Sequence, residues 1–156
     1  MEITELLAEY ETERQKSMPS KNHSKLQARL SFCLLRAYEN TFDIHSELSL
    51  ELSTGRVNPD IAIYPAQKSD WIEDEIIVKE VPLAVIEILS PTQGIQDLID
   101  KREIYFGAGV KSYWIVQPVF QMIHVFYSKD DYQSFLKGDV IDTALDISIP
   151  LSEVFK

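Results

Sequence analysis

The stretch Leu83-Ala84-Val85-Ile86-Glu87-Ile88-Leu89 decides how the rest of the chain is read. Apart from Glu87 it is apolar at every position, so both faces of any strand it forms must be covered, as in the centre of a sheet flanked by helices. A carboxylate buried there without a partner costs on the order of several kcal/mol, so it needs a metal, a base or hydrogen bonds. The alternative is a Glu at the strand end that reaches solvent or pairs with an Arg. Glu87 is therefore the first candidate functional residue.

Downstream, Ser90-Pro91-Thr92 ends the strand, and apolar spacing predicts a helix over 94–106. Gly107 and Gly109 predict a turn into a strand over 112–117. Gln117-Pro118 then turns into a strand over 120–127, and the tail carries one or two further short strands, with Pro150 before a final turn. Tyr113, Trp114, Phe120, Met122 and Phe126 read as core rather than as a platform for stacking bases.

Upstream, residues 65–80 are polar and mixed, a loop or hairpin excursion. A strand over 57–64 precedes them, and Thr54-Gly55 is a turn signal. Before that the chain alternates: Phe42, Ile44, Leu48, Leu50 and Leu52 share one face, and Asp43, His45, Glu47, Ser49 and Glu51 the other. Leu26, Leu30, Cys33, Leu34 and Ala37 form the stripe of a helix over about 22–39, capped by Asn22 or Ser20. Ile3, Leu6, Leu7 and Tyr10 predict a first helix over 2–15, broken by Met18-Pro19-Ser20. The order α-α-β-β-β-α-β-β plus tail describes an α/β (α+β) chain with a mixed sheet and helices on at least one face.

The 156 residues fit one domain, 1–156, with enough length to bury roughly two thirds of the unfolded surface. A net charge of −10 argues against nucleic-acid binding through a broadly basic surface, though carboxylates that hold a metal contribute to that count. Cys33 is the only cysteine, so no disulfide framework exists, as suits a reducing cytoplasm. No apolar run is long enough for a signal peptide or a membrane span. A Gly-rich phosphate loop, a zinc cysteine pair and a nucleophile elbow around Ser90 are absent, and His23, His45 and His124 lack metal-ligand spacing.

Asp60 follows Pro59 and opens the apolar run Ile61-Ala62-Ile63. It reads either as a turn residue at a strand start or as the partner of Glu87, because carboxylates on neighbouring strands can meet at one point of a sheet. Two such oxygen ligands suit Mg²⁺ or Mn²⁺ retaining waters. Lys101 shares a helix flank with Leu98 and Tyr105 but could equally pair with Asp97 one turn away. Arg102 lies nearer the apolar stripe, and the helical wheel alone does not choose between the two cations.

Four blocks in order, Val57-Asn58-Pro59-Asp60, Ile86-Glu87-Ile88-Leu89-Ser90-Pro91, Asp97-x-x-x-Lys101-x-x-x-Tyr105 and Gly109-Val110-Lys111-Ser112-Tyr113-Trp114, resemble the Uma-type restriction endonuclease family of bacteria. That family is similar to the wider PD-(D/E)xK nucleases, and the resemblance runs from about His23 to Phe155. It implies a restriction-endonuclease-like mixed sheet flanked by helices. It also implies a Mg²⁺- or Mn²⁺-dependent endonuclease acting on DNA, with Asp60 and Glu87 as metal ligands and Lys101 as the catalytic cation. Leu89 occupies the position where the superfamily pattern has Lys, and the resemblance moves that Lys to the next helix, selecting Lys101 over Arg102. His23, Glu47 and Tyr105 are further candidates on the same ground. Gln117 stands where many relatives have Asp. A homodimer is expected of a nuclease that cuts both strands. The alternative is a nuclease fold kept as a binding or regulatory module with little activity.

Overall fold

In the computed structural model, residues 2–6, 8 and 18–156 are described; the helix expected over 2–15 lies mostly outside them, with 3–6 helical. The long helix α1 spans Lys21–Tyr38. Ser20 is its cap, accepting the His23 N–H at 3.2 Å, and Arg36 in the last turn complements the helix dipole. Leu26, Leu30, Cys33 and Leu34 are buried as their spacing predicts, whereas Ala37 is exposed.

The strands are β1 (Phe42–Ser46), β2 (Leu50–Leu52), β3 (Gly55–Val57), β4 (Ile61–Pro65), β5 (Ala84–Ile88), β6 (Ser112–Gln117), β7 (Met122–Phe126), β8 (Tyr132–Phe135), β9 (Asp139–Asp142) and β10 (Ile147–Pro150). Helices α2 (Ile95–Asp100) and α3 (Arg102–Ala108) connect β5 to β6, and α4 (Leu151–Val154) closes the chain. A six-stranded sheet has the order β1-β4-β5-β6-β7-β8. Only β5 and β6 pair in parallel in it, because the α2–α3 crossover returns the chain to the same end before β6 starts.

Alternation along β5 and β6 distributes the core. Ile86, Ile88, Trp114 and Val116 pack on the α1 face, together with β9, β10 and α4. Val85, Tyr113 and Ile115 pack on the other face against Leu98, Tyr105 and the β2–β3 ribbon. All of β5 is buried, as an apolar run at the sheet centre requires.

Several expected elements divide. The strand expected over 42–52 breaks at Glu47, whose φ of 56° turns the backbone out of the ladder. The strand expected over 57–64 breaks at Asn58-Pro59, since a proline has no N–H to donate. The helix expected over 94–106 breaks at Lys101, whose N–H bonds Leu98 O three residues back at 3.2 Å, a tighter step than the α-helical one. Gly107 lies inside α3 rather than in a turn, and a Cβ there would meet Thr54 Cγ2 at 2.8 Å. Gly109, at φ 102°, is the left-handed residue that ends the helix. Phe120 lies outside β7 and is 68% exposed, so it is not core. The tail carries three strands rather than one or two.

Candidate functional site

Asp60 sits one residue before β4, and Glu87 is the fourth residue of β5. The two strands are antiparallel with Ile61 opposite Ile86. One step outward in that register, Asp60 comes opposite Glu87. Both are only 2% exposed. The Asp60 carboxylate reaches across to β5, where Oδ2 accepts the Ile88 N–H at 2.7 Å. Its Oδ1 lies 3.1 Å from His23 Nε2.

Glu87 alternates with Ile86 and Ile88, so it projects toward the face that carries α2 and α3. There its Oε2 accepts from Lys101 Nζ at 2.5 Å and from Tyr105 OH at 3.3 Å. Lys101 stands between the two helices, so the break directs it over the strand end. Its side chain is 27% exposed, against 3% for Glu87. Arg102, one residue on, faces elsewhere. It donates to Ile99 O at 2.8 Å and to Lys129 O, and its guanidinium lies 5.7 Å from the Phe126 ring centroid. Asp97 closes the start of α2 by accepting the Gly94 N–H, so the cation of this helix pair that meets the buried acid is Lys101.

Two tyrosines floor the site. Burial, followed by the negative charge of Glu87, pushes the Tyr105 and Tyr113 phenols well above 10, with Asp60 adding to both. Both phenols therefore remain protonated donors: Tyr105 to Glu87, Tyr113 to Leu98 O at 2.7 Å. The rings pack against each other with centroids 4.8 Å apart.

The backbone carbonyl of Asp60 is held from two sides. Gln27 Nε2 donates to it at 3.2 Å and the Glu47 N–H at 3.1 Å. Glu47 thus borders Asp60 through its main chain, in the left-handed conformation noted above. The sequence reading passed over Gln27, although it lies one helical turn after His23 on the same flank of α1. Among the described residues, no group of three or more His, Cys, Asp and Glu side chains forms a metal cage.

With this geometry in place, comparisons with known proteins narrow the reading. The profile of the family Uma2, described as "Putative restriction endonuclease", matches residues 7–147. A crystal structure from Anabaena variabilis, described as a putative nuclease belonging to DUF820, superposes with a TM-score of 0.75 at 19% identity. The match covers 88% of this chain and 82% of that one. At that identity the likeness establishes the fold, a mixed sheet flanked by helices. No curated protein matches the chain. No helix among the described residues is long and apolar enough to cross a membrane.

Proposed function

Since the chain belongs to the Uma2 family, we propose that it is a metal-dependent endonuclease that hydrolyses DNA phosphodiester bonds at the strand ends carrying Asp60 and Glu87. The observation that carries this reading is the buried acid pair with Lys101 Nζ 2.5 Å from Glu87. A binding surface has no need of two carboxylates sunk in a sheet, and burying them carries a desolvation cost. Two hard oxygen donors, both almost fully buried, fit Mg²⁺ or Mn²⁺ that keeps several waters.

Asp60 and Glu87 would hold that ion, which when bound polarises a phosphate oxygen and makes water a stronger nucleophile. Each residue around the pair has its own part. Lys101 brings a positive charge to the rim, where it can orient the attacking water or offset negative charge gathering on phosphorus. Tyr105, held protonated, donates to Glu87 and so fixes which way that carboxylate faces. Ile88 offers its N–H to Asp60 and leaves the other carboxylate oxygen toward His23. Glu47 borders Asp60 and is the further acid that could join the donor set. No covalent intermediate on the protein is required. Cutting both strands needs two such sites, which a two-fold homodimer would supply.

The test is nicking of supercoiled plasmid with Mg²⁺ or Mn²⁺. Nicked circles should form with the wild-type chain and disappear with chelator or in Asp60→Ala. The net charge of −10 favours a second reading, a nuclease fold used for binding. Retained DNA binding with no nicking by the wild-type chain would select it.

A further inference from the structure

Asp60 lies in a bend one residue before the ladder of β4, where the sheet reaches its side chain through the Ile88 N–H on Oδ2 at 2.7 Å. Helix α1 reaches it twice. His23 Nε2 stands 3.1 Å from the carboxylate and Gln27 Nε2 donates to the carbonyl at 3.2 Å. These residues are one turn apart on a helix of 18 residues that Leu26, Leu30 and Leu34 anchor in the core. With the Glu47 N–H as second donor, both lone pairs of the Asp60 carbonyl are engaged and its peptide plane is fixed. His23 is only 2% exposed and its Nδ1 has no hydrogen-bond partner among the described residues. A ring with one idle nitrogen is a poor choice for packing alone, because an apolar side chain would fill the position without that burden. A carboxylate oxygen accepts, so His23 Nε2 is the donor toward Asp60 Oδ1.

We infer that His23 and Gln27 are positioning residues: α1 aims the Asp60 carboxylate at the site, His23 acting on the carboxylate and Gln27 on its backbone. The ion this serves rests on the function proposed above, whereas the aiming itself concerns the metal-free chain.

The experiment separates the two. The Ile88 amide donates to Asp60 Oδ2, so its ¹⁵N–¹H resonance and hydrogen exchange report where that carboxylate lies without any metal. Mn²⁺ calorimetry then measures the site itself. In His23→Ala and in Gln27→Leu the Ile88 amide should move and exchange faster, and Mn²⁺ affinity should fall about 10–100-fold, the usual effect of losing a partner behind a metal ligand. His23→Gln, whose amide nitrogen can occupy the Nε2 position, should restore most of both signals. Melts without metal guard against simple unfolding. An unchanged Ile88 amide in both variants, or a His23→Gln no better than His23→Ala, overturns the positioning role. Failure of the wild-type chain to bind Mn²⁺, with the Ile88 amide still displaced in the variants, overturns the metal reading and upholds the positioning role.

Discussion

Lys101 Nζ lies 2.5 Å from Glu87 Oε2, joining the junction of two helices to the C-terminal end of the central strand. The carboxylate is almost fully buried and the ammonium is about a quarter exposed, so the pair spans the boundary between core and surface. If this cation serves the chemistry, Lys101→Ala should lower the metal-dependent rate roughly a hundredfold or more, the scale for losing one group that offsets transition-state charge. It should also destabilise the metal-free fold by about 1–3 kcal/mol, since Glu87 loses its charged partner. Arg102→Ala is the control. It should lower the melting temperature through Ile99, Lys129 and Phe126 while sparing the rate per folded molecule. Equal rate losses in the two variants would remove Lys101 from the mechanism.

Tyr105 isolates one hydrogen bond. Tyr105→Phe keeps the ring packed on Tyr113 and deletes the donor to Glu87. The expected stability loss is about 0.5–1.5 kcal/mol by denaturant unfolding. The phenol stands well above 10 in the folded chain, so it stays protonated and adds no inflection to a rate profile below that pH. An alkaline inflection that vanishes in Tyr105→Phe would contradict this.

Away from the site, Asp142 ties the tail to the sheet. Its Oδ2 accepts from Ser112 Oγ at 2.5 Å and Trp114 Nε1 at 2.8 Å, and its Oδ1 from the amides of Ala144 and Leu145 at 2.9 and 3.1 Å. Asp142 is fully buried. Asp142→Ala strands several donors at once and should cost on the order of 3 kcal/mol or more. A change under about 1 kcal/mol would show that water replaces the carboxylate freely.

His124 supplies a pH dependence. Its ring nitrogens lie 2.7 Å from Ser134 Oγ and 2.8 Å from Gln117 Oε1, and burial pushes its pKa below 6.5. The unfolded chain therefore takes up this proton first as the solution is acidified. The stability linked to His124 is present above 6.5 and is lost as pH falls through the lower folded value. Melts of wild type and His124→Gln should differ most near neutral pH and converge in acid. A constant difference over that range would rule out this titration as the cause.

Much of this architecture is legible in the amino-acid sequence. The run 83–89 is a central strand because only a doubly covered strand tolerates apolar residues on both faces. The buried stripe of α1 follows from residues 26, 30, 33 and 34, and β6 matches the expected 112–117. Glu87 stood out because a carboxylate in such a run needs a partner. Local periodicity, however, says which face a side chain takes and not what lies opposite it. The antiparallel register of β4 on β5 brings Asp60 to Glu87. The break at Lys101, invisible to a helical wheel, separates Lys101 from Arg102 and turns the former toward the acid. The Asn58-Pro59 gap in the ladder leaves Asp60 to be held by Gln27 and His23, some three dozen residues earlier in the chain. Local sequence was enough for the long helix, for β5 and β6 and for suspecting Glu87, since these depend on neighbours within a turn or two. The direction of each carboxylate was decided only by tertiary structure, since its partners are brought together by sheet register and helix packing.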